Sequence, residues 1–175
     1  MKAVVDTNVI LIANMAHPDV SPECVMACVN RLNELMKSGV LVVDDQYRIL
    51  LEYQNKTAPH KGKGVGDVFV QWALRHQAQP NHVQQIVLTE HKKDCYKEFP
   101  DSAFEAVFDA PDRKFVAVAH SHPDGPPIWQ AADCKWLDWW PTLNKYGVNV
   151  EFLCAEDICR FYANKFPTKV VPVLP

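Results

Sequence analysis

Met1-Lys2-Ala3-Val4-Val5-Asp6-Thr7-Asn8-Val9-Ile10-Leu11-Ile12-Ala13-Asn14 opens the chain with a short apolar run that stops on a lone carboxylate. Residues 2 to 5 read as a buried strand. An ionised aspartate at its end cannot be left buried and unpaired, because an uncompensated charge in low dielectric costs several kcal/mol or more. It needs a cation, a helix N-terminus or an open cleft. Ligands of open α/β sheets collect beyond the carboxyl ends of the strands, where Asp6 would sit.

Working outward, Ser21 is a helix N-cap with Pro22 at the first helical position and Glu23 in the first turn. Val25, Met26, Val29, Leu32, Leu35 and Met36 then recur at helical spacing, and Gly39 closes the pattern. Val40-Leu41-Val42-Val43 is apolar throughout, as suits a parallel strand covered on both faces. Asp44 or Asp45 caps a helix that carries Tyr47, Ile49, Leu50, Leu51, Glu52 and Tyr53. Residues 55 to 67 form a loop with three lysines, Lys56, Lys61 and Lys63, and three glycines. A helix over Val68 to Gln77 and a strand over Gln84 to Thr89 follow, whereas 90 to 108 alternates charge with aromatics and matches no template. The spacing places Asp112 in the first turn of a helix that continues through Phe115 to Ala119. His120 to Pro127 is a loop, and Pro127 to Ala132 is a strand ending on Asp133, which repeats the Asp6 pattern. A helix from Trp136 to Tyr146, broken or restarted near Pro141, a strand over Val148 to Leu153 and a helix over Ala155 to Phe166 complete the chain. Strands that alternate with helices predict an α/β domain, a three-layer α/β/α sandwich with a central, mostly parallel sheet.

The 175 residues fit a single domain spanning 1–175, with its elaboration within 55–108. No run of about 18 apolar residues is present and no basic lead-in precedes the first apolar stretch, so a membrane span and a signal peptide are not expected and the cytoplasm is the default location. The six cysteines lie in apolar or helical segments without CxxC spacing, and they read as reduced thiols. A net charge of −3 argues against nucleic-acid binding by global attraction and leaves room for local charge.

Asp6 and Asp133 at strand ends, Glu52 on the helix after the second strand and Asp112 at a helix start would reach one edge of a parallel sheet. Carboxylates gathered in this way raise one another's pKa unless cations neutralise them. An oxygen-only ligand set favours Mg²⁺ or Mn²⁺. Such ions support phosphodiester hydrolysis by lowering the pKa of a water and neutralising the leaving oxygen. No GxSxG elbow or P-loop offers a rival mechanism.

Val4-Val5-Asp6-Thr7-Asn8-Val9, Glu52, Asp112 with the small apolar residues after it, and Asp133 together resemble the PIN domain family of metal-dependent ribonucleases. The likeness covers nearly the whole chain. It implies a PIN-like fold and a Mg²⁺- or Mn²⁺-dependent endoribonuclease acting on single-stranded or structured RNA. Asp6, Glu52, Asp112 and Asp133 would be the catalytic metal-binding acids, Asp138 a further metal ligand, and Asn8 the support of the first aspartate. It also leaves room for an inhibitory antitoxin-like protein and a homo-oligomer. Gln130-Ala131-Ala132-Asp133-Cys134 departs from the family pattern, which commonly has Thr or Ser and a neighbouring Asn before the aspartate, and one polar contact to the cleft should weaken. The alternative is a catalytically weak or inactive PIN-like module that binds nucleic acid or protein. A phosphatase of the haloacid dehalogenase type would want a second aspartate where Asn8 stands.

Lys56, Lys61 and Lys63, beside glycines that let phosphate approach the main chain, are the expected nucleic-acid contacts. His120 and His122 read as exposed loop residues rather than metal ligands. Trp129, Trp136, Trp139 and Trp140 read as core or interface packing before base stacking.

Overall fold

In the computed structural model, which describes residues 1–175, seven strands and eight α-helices alternate. The chain runs β1 (Lys2–Val5), α1 (Thr7–Ala13), α2 (Pro22–Ser38), β2 (Val40–Asp44), α3 (Arg48–Lys56), α4 (Val65–His76) and β3 (Val83–Ile86). It continues with β4 (Glu90–Lys92), β5 (Cys95–Tyr96), α5 (Ser102–Val107), a 3₁₀ turn at Ala110–Asp112, α6 (Arg113–Ser121), β6 (Ile128–Gln130), α7 (Trp136–Lys145), β7 (Val150–Phe152) and α8 (Ala155–Lys165). Five strands form one parallel sheet in the order β3-β2-β1-β6-β7, with β4 and β5 making a separate antiparallel pair.

This sheet is the middle layer of a three-layer α/β/α sandwich. Ala3, Val4 and Val5 of β1, with Leu41, Val42 and Val43 of β2, are wholly buried, so both faces of the central strands are covered. Helices α1, α2 and α4 pack on one another, and α6 packs on β1 and β2. The chain winds from β1 outward through β2 to β3, then returns past β1 to β6 and β7. The order therefore reverses between β1 and β6, and the crevice beyond the carboxyl ends of these two strands is the topological switch point.

Two helix starts show how sequence sets this geometry. Ser21 Oγ accepts from the Cys24 amide at 3.1 Å, with Pro22 opening α2 as its spacing predicts. Asp44, wholly buried, accepts from the amides of Gln46 (3.1 Å), Arg48 (3.0 Å) and Ile49 (2.8 Å) and faces the Arg48 guanidinium at 3.4 Å. It thereby satisfies the donors at the start of α3 that would otherwise be buried without acceptors.

The structure alters several sequence-based expectations. Thr7–Ala13, read only as the continuation of an apolar stretch, is helix α1 with Asp6 as its N-cap, accepting from the Asn8 amide at 2.8 Å. Val9, Ile10 and Ile12 are all buried, so no polar face marks the helical period. The unassigned 90–108 segment forms the β4–β5 pair and α5, and α7 runs through Pro141 without a break. Cys24 and Cys154 form a disulfide between α2 and the residue capping α8, with their Cα atoms 5.0 Å apart. The expectation of six reduced thiols is thus corrected. An apolar setting suits a buried disulfide as well as a thiol, and only the tertiary fold brings residues 130 positions apart together. Cys28, with its sulfur 3.9 Å from that of Cys154, remains a thiol whose pKa burial pushes up to about 12.

Asp44→Ala should lower unfolding stability by ~2–4 kcal/mol through the lost cap and the unpaired buried donors. Urea denaturation measures it, and a loss below about 0.5 kcal/mol, typical of a neutral surface change, would contradict the role given to Asp44.

Candidate metal centre

β1 and β6 run parallel with Val5 opposite Trp129, and the Asp6 amide donates to the Trp129 carbonyl at 3.0 Å. Asp6 therefore leaves the sheet beside the exit of β6, which leads to Asp133. Helix α3 is held against this edge because Tyr53 donates its hydroxyl to the Val5 carbonyl, and Glu52 precedes Tyr53. Asp112 ends the 3₁₀ turn immediately before α6.

These four carboxylates face one another electrostatically. Asp6 is buried, and its carboxyl lies well above the ordinary aspartate range, first because of burial and then because of Asp112; the Asn8 amide opposes the rise and Asp133 and Glu52 add to it. Asp112 is pushed from 3.8 up to about 7 by burial and then by Asp133, with the Lys114 ammonium opposing and Asp109 and Glu52 adding. Asp112 makes no side-chain cap hydrogen bond to α6, so helix capping does not explain its presence. Its position is one residue ahead of the expected first turn.

Asn8 is the clasp of the site. Its Nδ2 donates to Asp6 Oδ1 at 2.6 Å and also to Gln130 Oε1, while its Oδ1 accepts from the amides of Ala131 (3.0 Å) and Ala132 (3.3 Å). One carboxamide thus joins the first acid to the end of β6. The polar contact that the Gln130-Ala131-Ala132 departure was expected to weaken is present, because the Gln130 carboxamide reaches Asn8 itself.

Some expected site residues lie elsewhere. Asp138, on the first turn of α7, accepts from the Tyr162 hydroxyl at 2.6 Å and faces Lys169 at 3.4 Å, so it ties α7 to α8 and the C-terminal segment. It is not among the carboxylates that perturb Asp6 or Asp112. Lys56, Lys61 and Lys63 are exposed and pair with no carboxylate, but the glycines beside them are not open to a phosphate. A Cβ at Gly62 would overlap the Asp67 carboxylate, and one at Gly64 or Gly66 would meet the Asn14 side chain. Asp67 accepts from the Ala58 amide (2.9 Å), the Gly64 amide (3.3 Å) and Asn14 Nδ2 (3.0 Å), so the glycines serve packing of the loop against α1 and α4. His122 is buried, contrary to expectation, with Nε2 2.9 Å from Gln84 Oε1, whereas His120 is exposed near the Glu98 carbonyl. The two rings have separate partners. Trp129 and Trp136 are core residues, as expected.

Other residues of the site were not singled out from the sequence. Thr7 Oγ1 donates to Glu52 Oε1 at 2.5 Å, and Lys114 Nζ lies 2.5 Å from Glu52 Oε2. Lys135 pairs with Asp109 and is held protonated chiefly by that partner, with Asp133 and Asp112 contributing. Lys114 could have been noticed as the one charge inside the buried run of α6; Lys135 and Asp109 carry no comparable signal.

A hard divalent cation would remove the repulsion that, with burial, displaces Asp6 and Asp112 upward; to ligate it the acids would have to close in, since no three of them have carboxylate oxygens within 4.8 Å of one another. Comparison with protein-family models, curated proteins and solved structures found no match.

The raised Asp112 pKa sets a pH dependence for the metal-free protein. Between 3.8 and about 7 the folded state holds more protons at Asp112 than the unfolded chain. Stability therefore falls as pH rises through this interval. In EDTA, Asp112→Asn should melt above the wild type at pH 8, with the gap closing toward pH 4; a variant no more stable than wild type at pH 8 would contradict the repulsion.

Proposed function

We propose that this chain is a PIN-like, Mg²⁺- or Mn²⁺-dependent endoribonuclease. The observation that carries the reading is the electrostatic influence of Glu52, Asp112 and Asp133 on Asp6 beside the switch point of a parallel sheet, with Asp6 forced toward protonation chiefly by burial and Asp112, and Asp112 chiefly by burial and Asp133. The sequence likeness of the same four positions to PIN domains supports the choice of RNA.

When bound, the ion would activate a water and neutralise charge on the leaving oxygen. The chain's own residues prepare for it. Asn8 fixes the orientation of the Asp6 carboxylate, and Thr7 does the same for Glu52. Asp112 and Asp133 are partly exposed and within reach of solvent. Lys56, Lys61 and Lys63 are free to contact the RNA backbone through their side chains, as an electrostatic, sequence-independent attraction.

The pairing of Glu52 with Lys114 favours a second reading, a catalytically weak PIN-like module that binds RNA without turnover. One assay separates them. Labelled single-stranded RNA should be cut internally in Mn²⁺, with no cleavage in EDTA and a loss of roughly 100-fold or more in Asp6→Asn, the upper end of what a metal's outer partners cost. Retained RNA binding with no cleavage in any divalent ion would support the binding module instead.

A further inference from the structure

Three sulfurs meet where helices α2 and α8 begin. Cys24 and Cys28 stand four residues apart on α2 and so share a face, while Cys154 is the N-cap of α8. Their sulfur atoms all lie within 4.8 Å of one another, and all three residues are buried. Cys24 and Cys154 are joined as a disulfide, and the sulfur of Cys28 lies 3.9 Å from that of Cys154. Two thiolates that share one tetrahedral zinc ion, each at about 2.3 Å, stand roughly 3.8 Å apart. The free thiol is thus already at the separation of a co-ligand.

The frame of this cluster does not depend on the disulfide. Asp157, in the first turn of α8, accepts from the Ser21 amide at 3.0 Å and from the Ser21 hydroxyl at 2.5 Å, and Ser21 is the N-cap of α2. These hydrogen bonds clasp the two helix starts together. Cys24 lies in the first turn of α2, so the N-terminal ends of helices of 17 and 11 residues both bear on the sulfurs. Helix N-termini favour thiolate over thiol. Three thiolates around a divalent ion carry one net negative charge, which the two helix ends offset. An open cleft of about 170 Å³ reaches Cys24 and Cys154, with Glu23 and Glu156 in its wall. It gives a cation a path in and leaves room for a water as fourth ligand, the arrangement of zinc held by three protein ligands. None of Asp6, Glu52, Asp112 and Asp133 lines it.

We propose that Cys24, Cys28 and Cys154 form, when reduced, a three-thiolate site for Zn²⁺, and that the Cys24–Cys154 disulfide is the metal-free, oxidised state of the same site. Opening the disulfide takes two electrons and two protons. A phosphine reductant supplies the electrons and takes oxygen from a water molecule to become its oxide; the two protons of that water leave Cys24 and Cys154 as thiols. Zn²⁺ then binds the three sulfurs and displaces three protons. Sulfur ligands select zinc over Mg²⁺ or Mn²⁺, so the site differs in chemistry from the acids at the switch point.

The test uses the full chain, reduced with a phosphine under nitrogen, and Co²⁺ as a spectroscopic stand-in for Zn²⁺. Reduced wild type should develop the near-ultraviolet charge-transfer absorption of cobalt–thiolate bonds, saturating at one sulfur-bound Co²⁺ per chain and bleached by Zn²⁺. The unreduced chain should show none. Cys28→Ser and Cys28→Ala keep the Cys24–Cys154 pair and should need about 100-fold more Co²⁺ or beyond, since even the outer partners of a metal ligand are worth 10–100-fold. The alanine variant buries no hydroxyl and answers the question if the serine variant does not fold. Cys95→Ser and Cys159→Ser, outside the cluster, should keep the full band. No thiolate band in reduced wild type, a shift below about tenfold in a folded Cys28 variant, or a band that instead disappears in Cys95→Ser or Cys159→Ser would overturn the proposal. Co²⁺ held by carboxylates gives no such band, so each outcome leaves the reading of the acid cluster untouched.

Discussion

The structure depends on a repulsion that the fold itself creates. Asp6 is 5% exposed after the wholly buried Ala3, Val4 and Val5, and three other acids raise its affinity for a proton. Such an arrangement opposes folding of the metal-free chain, since Asp6 and Asp112 ionise less readily in the native state than in the unfolded one. The parallel pairing of β1 with β6 makes the encounter unavoidable, because it delivers Asp6 and the approach to Asp133 to the same edge. The surrounding residues are best understood by how they hold these groups in place despite that repulsion.

Three devices do so. Asn8 links Asp6 to Gln130, Ala131 and Ala132 across the switch point, so the two strand ends cannot separate to relieve the charge. The Tyr53 hydroxyl on the Val5 carbonyl locks α3, and with it Glu52, against β1. The start of α3 is in turn fixed by Asp44, which is buried among three amides and a guanidinium rather than among carboxylates. Sites that keep unfavourable electrostatics inside a rigid frame are commonly functional, the strain being offset when the ligand arrives.

Much of this was legible in the sequence, and the remainder was hidden for identifiable reasons. The Ser21-Pro22 start and Gly39 end of α2, the apolar run of β2 and the repeated strand-then-aspartate pattern are local signals, and they led to the α/β/α architecture and to Asp6, Glu52, Asp112 and Asp133 as the candidate acids. Helix α1 was hidden because Val9, Ile10 and Ile12 are buried with no polar face between them. The Cys24–Cys154 disulfide depends on contact between residues far apart in the chain, which spacing does not encode. Gly62, Gly64 and Gly66 suggested an open phosphate loop, yet their missing side chains make room for Asp67 and Asn14. Lys114 was overlooked because it follows Asp112 by two residues at the start of an apolar helix, where a buried ammonium is not expected unless its partner across the fold is known.

The most direct measurement is anomalous diffraction from a crystal soaked in Mn²⁺. The predicted result is a peak in the crevice beyond β1 and β6, within about 2–2.5 Å of carboxylate oxygens drawn from Asp6, Glu52, Asp112 and Asp133, the range of hard-cation coordination. A crystal saturated with Mn²⁺ that shows no peak there, or shows its only bound ion among other residues, would contradict a metal centre at these acids.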